Sequence, residues 1–246
     1  MNIMNRSKTV FTGALYFWLL FSSAVALAAV WHHPAYRAMY CMVWGLILLW
    51  VTLIGGLSVK LRTQICSIIP ASSLPPWQFF IILSTAMALL EEAVTVSMTN
   101  MAPLFGVALG RAYITASGNY FDVVSLHSVV VIVPQFVAWG RLLTRYSFSP
   151  FQVALLFGST GMVDEALFGG PSAFLGFAQW ILVYGIMVFL PATVSIARSN
   201  NRKPVKWWHY PAAVVGPIFV AVPVVLLITR LIAPHHPSIH FQPISP

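Results

Sequence analysis

The acidic residues of this chain are few and are confined to three apolar stretches of the sequence. They are Glu91, Glu92, Asp122, Asp164 and Glu165. A carboxylate at the centre of a membrane helix costs about 2.5–3.5 kcal/mol on insertion scales, so such residues usually face a bundle interior or a water-filled cavity. Their confinement to three stretches therefore predicts one shared polar site.

Carboxylates and an imidazole together suit two kinds of chemistry. Oxygen and imidazole ligands can hold a divalent metal ion that activates water. The candidate ligands for such a metal are Glu91, Glu92, His127, Asp164 and Glu165. Alternatively, a buried glutamate can act as a general base while a histidine orients it or shares its proton. We predict Glu91, Glu92 and His127 as catalytic residues, with a divalent metal ion as the candidate cofactor.

The glutamate pair and the later histidine also resemble a known family. Glu91-Glu92 and His127 are similar in kind to residues of the glutamate intramembrane proteases of the CAAX-processing and bacteriocin-processing type. That resemblance implies hydrolytic chemistry inside the membrane. Two positions depart from the family pattern, because Val96 stands where the family has arginine and Val123 where it has phenylalanine.

The composition places the whole chain in a membrane. Of 246 residues, 59% are hydrophobic and 7% are charged, and the mean hydropathy is +0.84. Soluble proteins have about 25% charged residues. Nucleic-acid binding and a secreted disulfide scaffold are excluded, because the few charges form no block and the only cysteines are Cys41 and Cys66.

About 20 mostly apolar residues are needed to cross the bilayer as a helix, and seven stretches meet or approach this requirement. They are Val10–Val30, Tyr36–Leu57, Gln78–Met98, Phe121–Gly140, Phe151–Gly169, Ser172–Ala197 and Tyr210–Ala233. The fold class predicted is an all-α polytopic membrane helix bundle. Residues 1–246 form one membrane-embedded domain, with the bundle at 10–233 and a short extracytoplasmic tail at 234–246.

The basic residues predict the orientation of the bundle. With the N-terminus in the cytoplasm, ten of the 13 basic residues fall on the cytoplasmic side. They are Arg6, Lys8, Lys60, Arg62, Arg141, Arg145, Arg198, Arg202, Lys203 and Lys206. The positive-inside rule therefore favours an N-terminus inside and a C-terminus outside. The expected location is a plasma (inner) membrane.

The start of the chain has an alternative interpretation as a signal peptide. Its small-residue tract, residues 24–28, resembles an A-x-A cleavage site, and cleavage would leave six helices. The apolar run of 21 residues from Val10 to Val30 exceeds the 7–15 residues of a signal-peptide core, which favours an uncleaved helix.

Helical spacing predicts which faces carry the site. Ser84, Ala88, Glu91, Thr95 and Thr99 follow steps of four, three, four and four, so they form one stripe on the third helix. In the fifth stretch, Gly158 and Gly161 share a face with Asp164 and Glu165, and such glycines let another helix approach closely.

The fourth stretch is predicted to be one continuous helix that begins at the outer boundary. Asp122 then lies at that boundary and His127 lies about 7.5 Å deeper. With the carboxylates of the third and fifth stretches in their outer halves, the site is expected on the extracytoplasmic side.

Three classes of function remain open at this stage. A membrane-embedded, hydrolase-like enzyme is the leading hypothesis, and a proton- or cation-coupled transporter or channel is the first alternative. An accessory subunit of a membrane complex is the third. Expected partners are membrane lipids and either a membrane-protein partner or a second copy of the chain, with no nucleic acid.

The topology can be tested with reporter fusions. Fusions within residues 58–77, 141–150 and 198–209 should report a cytoplasmic location, and a fusion within 236–246 should report an external one. This outcome follows from seven crossings and the positive-inside rule. A cytoplasmic C-terminal tail would contradict the helix count.

Overall fold

The chain folds as a bundle of helices. The computed structural model describes residues 3–68, 74–235 and 241. In this described part, β-structure is limited to two isolated bridges. The predicted all-α polytopic bundle is therefore confirmed.

The helices coincide with the predicted apolar stretches over most of their lengths. In chain order they are α1 (Ile3–Val30), α2 (Pro34–Leu46), α3 (Gly55–Ile68), α4 (Pro76–Asn100), α5 (Tyr120–Leu126), α6 (Val129–Arg145), α7 (Pro150–Gly169), α8 (Phe177–Ala197) and α9 (His209–Leu227). A π-helical stretch, Ile47–Ile54, joins α2 to α3 without a break. A second one, Ile228–Ile232, extends α9.

Fewer helices than expected meet the length and hydropathy requirements for a membrane span. Five do so among the described residues, and the count rises to six if the bent pair α5–α6 forms one span. They are Thr9–Val30, Pro34–Ile68, Pro76–Asn100, Pro171–Ala197 and His209–Ile232. The count of seven is thus not confirmed. The helix α7 is long enough, but it carries two acids and several hydroxyl and glycine residues.

The second predicted span ends later than the sequence indicated. The predicted end was Leu57, whereas the helix continues to Ile68 because residues 58–68 contain no proline or glycine to stop it. Its 35 residues extend about 52 Å at 1.5 Å per residue. Since a bilayer core is about 30 Å thick, one end of this helix projects beyond it.

Aromatic side chains fill the centre of the bundle. Phe136 of α6 contacts Phe80 of α4 and Phe157 of α7, with ring centroids 6.4 and 5.3 Å apart. Trp50 is fully buried, and its indole N–H donates to the carbonyl oxygen of Val183 at 2.9 Å. These contacts connect the helices that carry the predicted site.

The connections predicted for the cytoplasmic side lie together at one end of the bundle. The backbone N–H of Lys203 donates to Arg145 O, and that of Ser147 donates to Lys203 O. The Arg198 guanidinium donates to Leu74 O at 3.2 Å. These bonds bring together the connections before α4, between α6 and α7, and between α8 and α9.

The connection between α4 and α5 is a packed loop with one short 3-10 turn, Ala102–Phe105. Two backbone groups of the loop bond back to the end of α4, because Thr99 Oγ1 accepts from Ile114 N–H and Asn100 donates to Gly118 O. Of the predicted tail at 234–246, residues 236–240 and 242–246 lie outside the described residues.

Glycines allow α7 and α8 to approach closely. A Cβ atom at Gly158 would collide with the backbone of Ile181, and one at Gly161 would collide with the ring of Tyr184. On the facing helix, a Cβ at Gly185 would press against the backbone of Ala154. The predicted close-packing face of α7 is therefore confirmed.

Substituting one of these glycines should separate α7 from α8. We expect Gly158→Ala to lower the free energy of unfolding by about 1–3 kcal/mol, because the new methyl group meets rigid backbone. Gly216→Ala is the matched control, since a Cβ there meets nothing within 4 Å. Thermal unfolding in detergent should show a lower Tm for the first variant only. Equal Tm values would contradict the close packing.

Candidate functional site

The predicted polar stripe of α4 faces the interior of the bundle. Its members are buried with 0 to 6% of their surface exposed. They are Ser84, Ala88, Glu91, Thr95 and Thr99. The 3.6-residue periodicity that predicted this face is confirmed, and the stripe crosses most of the length of α4.

The two glutamates of α4 are both buried. Glu91 is 5% exposed and Glu92 is 7% exposed. The Thr95 hydroxyl donates to Glu91 Oε1 at 2.9 Å, one helical turn away. The Ser128 hydroxyl lies beside Glu92. Glu92 Oε2 is buried and has no hydrogen-bond partner among the described residues.

The two acids of α7 each have a neutral donor from a neighbouring helix. The Gln135 amide of α6 donates to Asp164 Oδ2 at 2.7 Å. The Tyr184 hydroxyl of α8 donates to Glu165 Oε1 at 2.6 Å. The tyrosine ring lies directly over Gly161, one turn before Glu165, because that glycine leaves space for it.

These four side chains form a carboxylate cluster, defined here as Glu91, Glu92, Asp164 and Glu165. Both glutamates of α4 lie close enough to Glu165 to interact with it electrostatically. The helices α4, α7 and α8 contain no lysine, arginine or histidine in their sequences. The cluster therefore concentrates acidic side chains in one region. The groups that donate hydrogen bonds to them are hydroxyl and amide groups.

Pooling the acids predicts that the third, fourth and fifth apolar stretches are mutual neighbours. Of the corresponding helices, α4 and α6 pack together, whereas α7 packs mainly along α8 and α9. The acids of α7 reach the others through side chains, since Gln135 of α6 contacts Asp164. The acids therefore lie in one region although α7 does not pack mainly against α4 or α6.

The fourth predicted span is broken, which corrects the expected placement of His127. The helix α5 ends at Leu126, and the axis bends by 44° before α6 continues. The Ser128 hydroxyl and the Ser128 backbone N–H both donate to the carbonyl oxygen of Val123. A serine side chain that competes for a helix carbonyl favours such a break.

The break determines the exposure of the two polar residues of this region. His127 is exposed at the break, and Asp122 is half-buried in the first turn of α5. Of the five predicted ligands, Glu91, Glu92 and Glu165 lie close enough to interact electrostatically, and Asp164 adjoins Glu165 in α7.

Metal binding receives no support from the arrangement of these side chains. Within the described ranges, no group of three or more His, Cys, Asp or Glu side chains could hold a metal ion. The acids of the cluster instead have separate donors on different helices. The five-residue metal site remains a prediction from sequence.

Sequence reasoning missed two residues that contact the cluster. Gln135 is 1% exposed, and its Oε1 has no hydrogen-bond partner in the described part of the chain. A lone amide in the apolar run 129–137 was a signal that could have identified it. Tyr184 had no such signal, because its role depends on the tight contact between α7 and α8.

An all-helical bundle with long apolar helices and an acidic interior defines this chain as a polytopic membrane protein. Large apolar side chains on its outer surface, such as Phe17, Phe121 and Phe219, agree with contact to lipid. No protein-family model, curated protein or solved structure matches the chain.

The hydrogen bond between Tyr184 and Glu165 can be tested by a double-mutant cycle. Tyr184→Phe should lower the free energy of unfolding by about 1–3 kcal/mol, because a buried carboxylate loses its donor. The double variant Tyr184→Phe/Glu165→Leu should recover most of this loss, since both polar groups are then absent. Chemical unfolding in detergent measures these values.

A tyrosine away from the cluster provides the control for this cycle. Tyr40→Phe removes the same hydroxyl from a half-buried ring beside Trp44. Its effect should stay within about 0.5 kcal/mol. Additive effects of Tyr184→Phe and Glu165→Leu would show that the two side chains do not interact.

Proposed function

We propose that this protein is a proton- or cation-coupled transporter or channel whose carboxylate cluster binds the moving ion. The observation that carries the proposal is the burial of Glu91 and Glu92, together with the half-buried Asp164 and Glu165, among hydroxyl and amide donors. Isolated charges are very costly in an apolar interior. Protons or a small cation would balance them, and exchanging that ion is the step that such pathways use.

Unsatisfied acceptor atoms at the cluster support the binding of a cation or proton. Glu92 Oε2 and Gln135 Oε1 are both buried without a hydrogen-bond partner among the described residues. Leaving a buried acceptor unpaired costs about 1–3 kcal/mol. A proton on the glutamate would remove this cost at Glu92, and a cation bound at either oxygen would remove it there, because hard cations prefer oxygen ligands.

The polar stripe of α4 supports a path for the ion. From Ser84 to Thr99 the stripe covers about 22 Å at 1.5 Å per residue, compared with a bilayer core of about 30 Å. Ser84 Oγ is itself buried without a hydrogen-bond partner in the described chain. Polar groups therefore continue along the helix beyond the acids, as a relay requires.

The enzyme hypothesis favoured by the sequence has less geometric support. It requires an opening through which a substrate reaches the acids, yet Glu91 and Glu92 are both buried. A large groove of the chain has no acidic residue among its lining side chains. A buried cluster suits an ion better than an organic substrate.

Ion flux in proteoliposomes tests the proposal. We expect the wild-type protein to conduct protons, measured with an enclosed pH-sensitive dye, or Na⁺, measured with a radioactive tracer, under an imposed membrane potential. Glu91→Gln and Glu92→Gln should each reduce that flux by at least tenfold, because the amide keeps the shape but removes the exchangeable charge.

Asp122→Asn is the matched control for the flux measurements. It makes the same chemical change at a half-buried acid outside the cluster, so flux should remain near the wild-type value. Hydrolytic turnover in detergent that disappears in Glu91→Gln, with no flux in any variant, would favour the enzyme. Folded, more stable Gln variants with neither activity would favour the accessory subunit.

A further inference from the structure

A large groove lies between α1, the continuous helix Pro34–Ile68, α7 and α8. Its volume is about 1150 Å³. Most of the side chains that line it are apolar, among them Leu15, Val51, Leu155 and Ile186. The carboxylate cluster contributes nothing to this lining, so the groove is a separate feature of the chain.

Aromatic contacts attach α1 to α7 and α8. Near the middle of α1, the Trp18 indole donates to Leu175 O at 3.2 Å, and the Trp18 and Phe177 ring centroids are 5.3 Å apart. Nearer the start of α1, Phe11 contacts Phe151 at 6.5 Å between ring centroids. Between these two contacts, Leu15 lines the groove and is 4% exposed.

Small residues keep this space open. Gly13 of α1 and Gly56 of α3 both line the groove, and a Cβ atom at either would meet nothing within 4 Å. Both glycines are exposed. The groove can therefore receive a flexible apolar chain without any rearrangement of the helices.

One end of the groove is cationic and carries hydroxyl groups. Lys60 and Arg62 line this end and are exposed, and Ser58 lies just before them on the same helix. No acidic side chain lines the groove. This end is therefore complementary to an anion, while the remaining walls are complementary to hydrocarbon.

The length of the groove matches one leaflet of a bilayer. Along the continuous helix, its lining extends from Val51 to Arg62, which is about 16 Å at 1.5 Å per residue. Half of a bilayer core is about 15 Å. With Arg62 at the membrane surface, the apolar end at Val51 would lie near the bilayer centre.

We propose that this groove binds an anionic phospholipid. Its phosphate would bind at Lys60 and Arg62, and an acyl chain would lie along Gly13 and Gly56. An anionic headgroup is complementary to the cationic end of the groove, and a leaflet-length hydrocarbon chain matches the length of its apolar walls. Basic side chains at a membrane surface attract anionic lipid, and the glycines leave room for the chain.

Competitive lipid binding tests the proposal. The full chain is reconstituted in nanodiscs that contain equal amounts of phosphatidylglycerol and phosphatidylcholine, and the lipids that remain bound after extraction into detergent are counted by native mass spectrometry. The wild-type protein should retain phosphatidylglycerol preferentially. Lys60→Gln/Arg62→Gln should reduce that retention on the order of tenfold.

A second variant tests the groove itself without changing charge. Gly56→Leu should fill the space beside the proposed acyl chain and reduce phosphatidylglycerol retention by a similar factor. Gly216→Leu and Arg230→Gln are the matched controls, because they make the same kinds of change on α9 and its extension, away from the groove. Both should retain wild-type amounts of lipid.

Three outcomes would overturn the proposal. Unchanged phosphatidylglycerol retention in Lys60→Gln/Arg62→Gln or in Gly56→Leu would show that the lipid binds elsewhere. Equal retention of both phospholipids by the wild-type protein would show that the cationic end selects nothing. A change of oligomeric state in Gly56→Leu, without loss of lipid, would identify the groove as a contact between copies of the chain. Size-exclusion chromatography of every variant confirms folding and reports that state.

Discussion

The burial of carboxylates in an apolar bundle is the constraint on which the rest of this structure depends. Each acid requires a donor, a proton or a cation, because hydrocarbon cannot solvate it. The bundle supplies hydroxyl and amide donors from three helices, namely Thr95 of α4, Gln135 of α6 and Tyr184 of α8. Pooling the acids concentrates this requirement in one region and leaves the outer surface free to be apolar.

Close helix packing makes these donors available. Tyr184 reaches Glu165 because Gly161 has no side chain to hold the ring away, and Gly158 allows the same two helices to approach along their length. The break before α6 has a comparable effect, since it places Ser128 beside Glu92 while His127 is exposed. Backbone geometry at a few small residues thus determines which polar groups surround the acids.

Charge is divided across the molecule in a way that suits a protein in a bilayer. The acids lie within α4, α5 and α7, whereas most basic residues lie at the helix ends or in the connections between helices. The grouping of the connections near Leu74, Lys203 and Arg145 brings many of these basic residues to one end. The groove beside α1 has its cationic end at Lys60 and Arg62, so both polar features are built on an otherwise apolar scaffold.

The sequence by itself determined the fold class, the approximate positions of the helices, the buried stripe of α4 and the glycine face of α7. These features follow from hydropathy and helical periodicity, which are local properties of the chain. Only the tertiary structure decided that Gln135 and Tyr184 would be donors and that the helix would break before Ser128. Those outcomes depend on which helices meet and how closely, because a hydrogen bond between residues 19 or 29 positions apart leaves no periodic signal in the sequence.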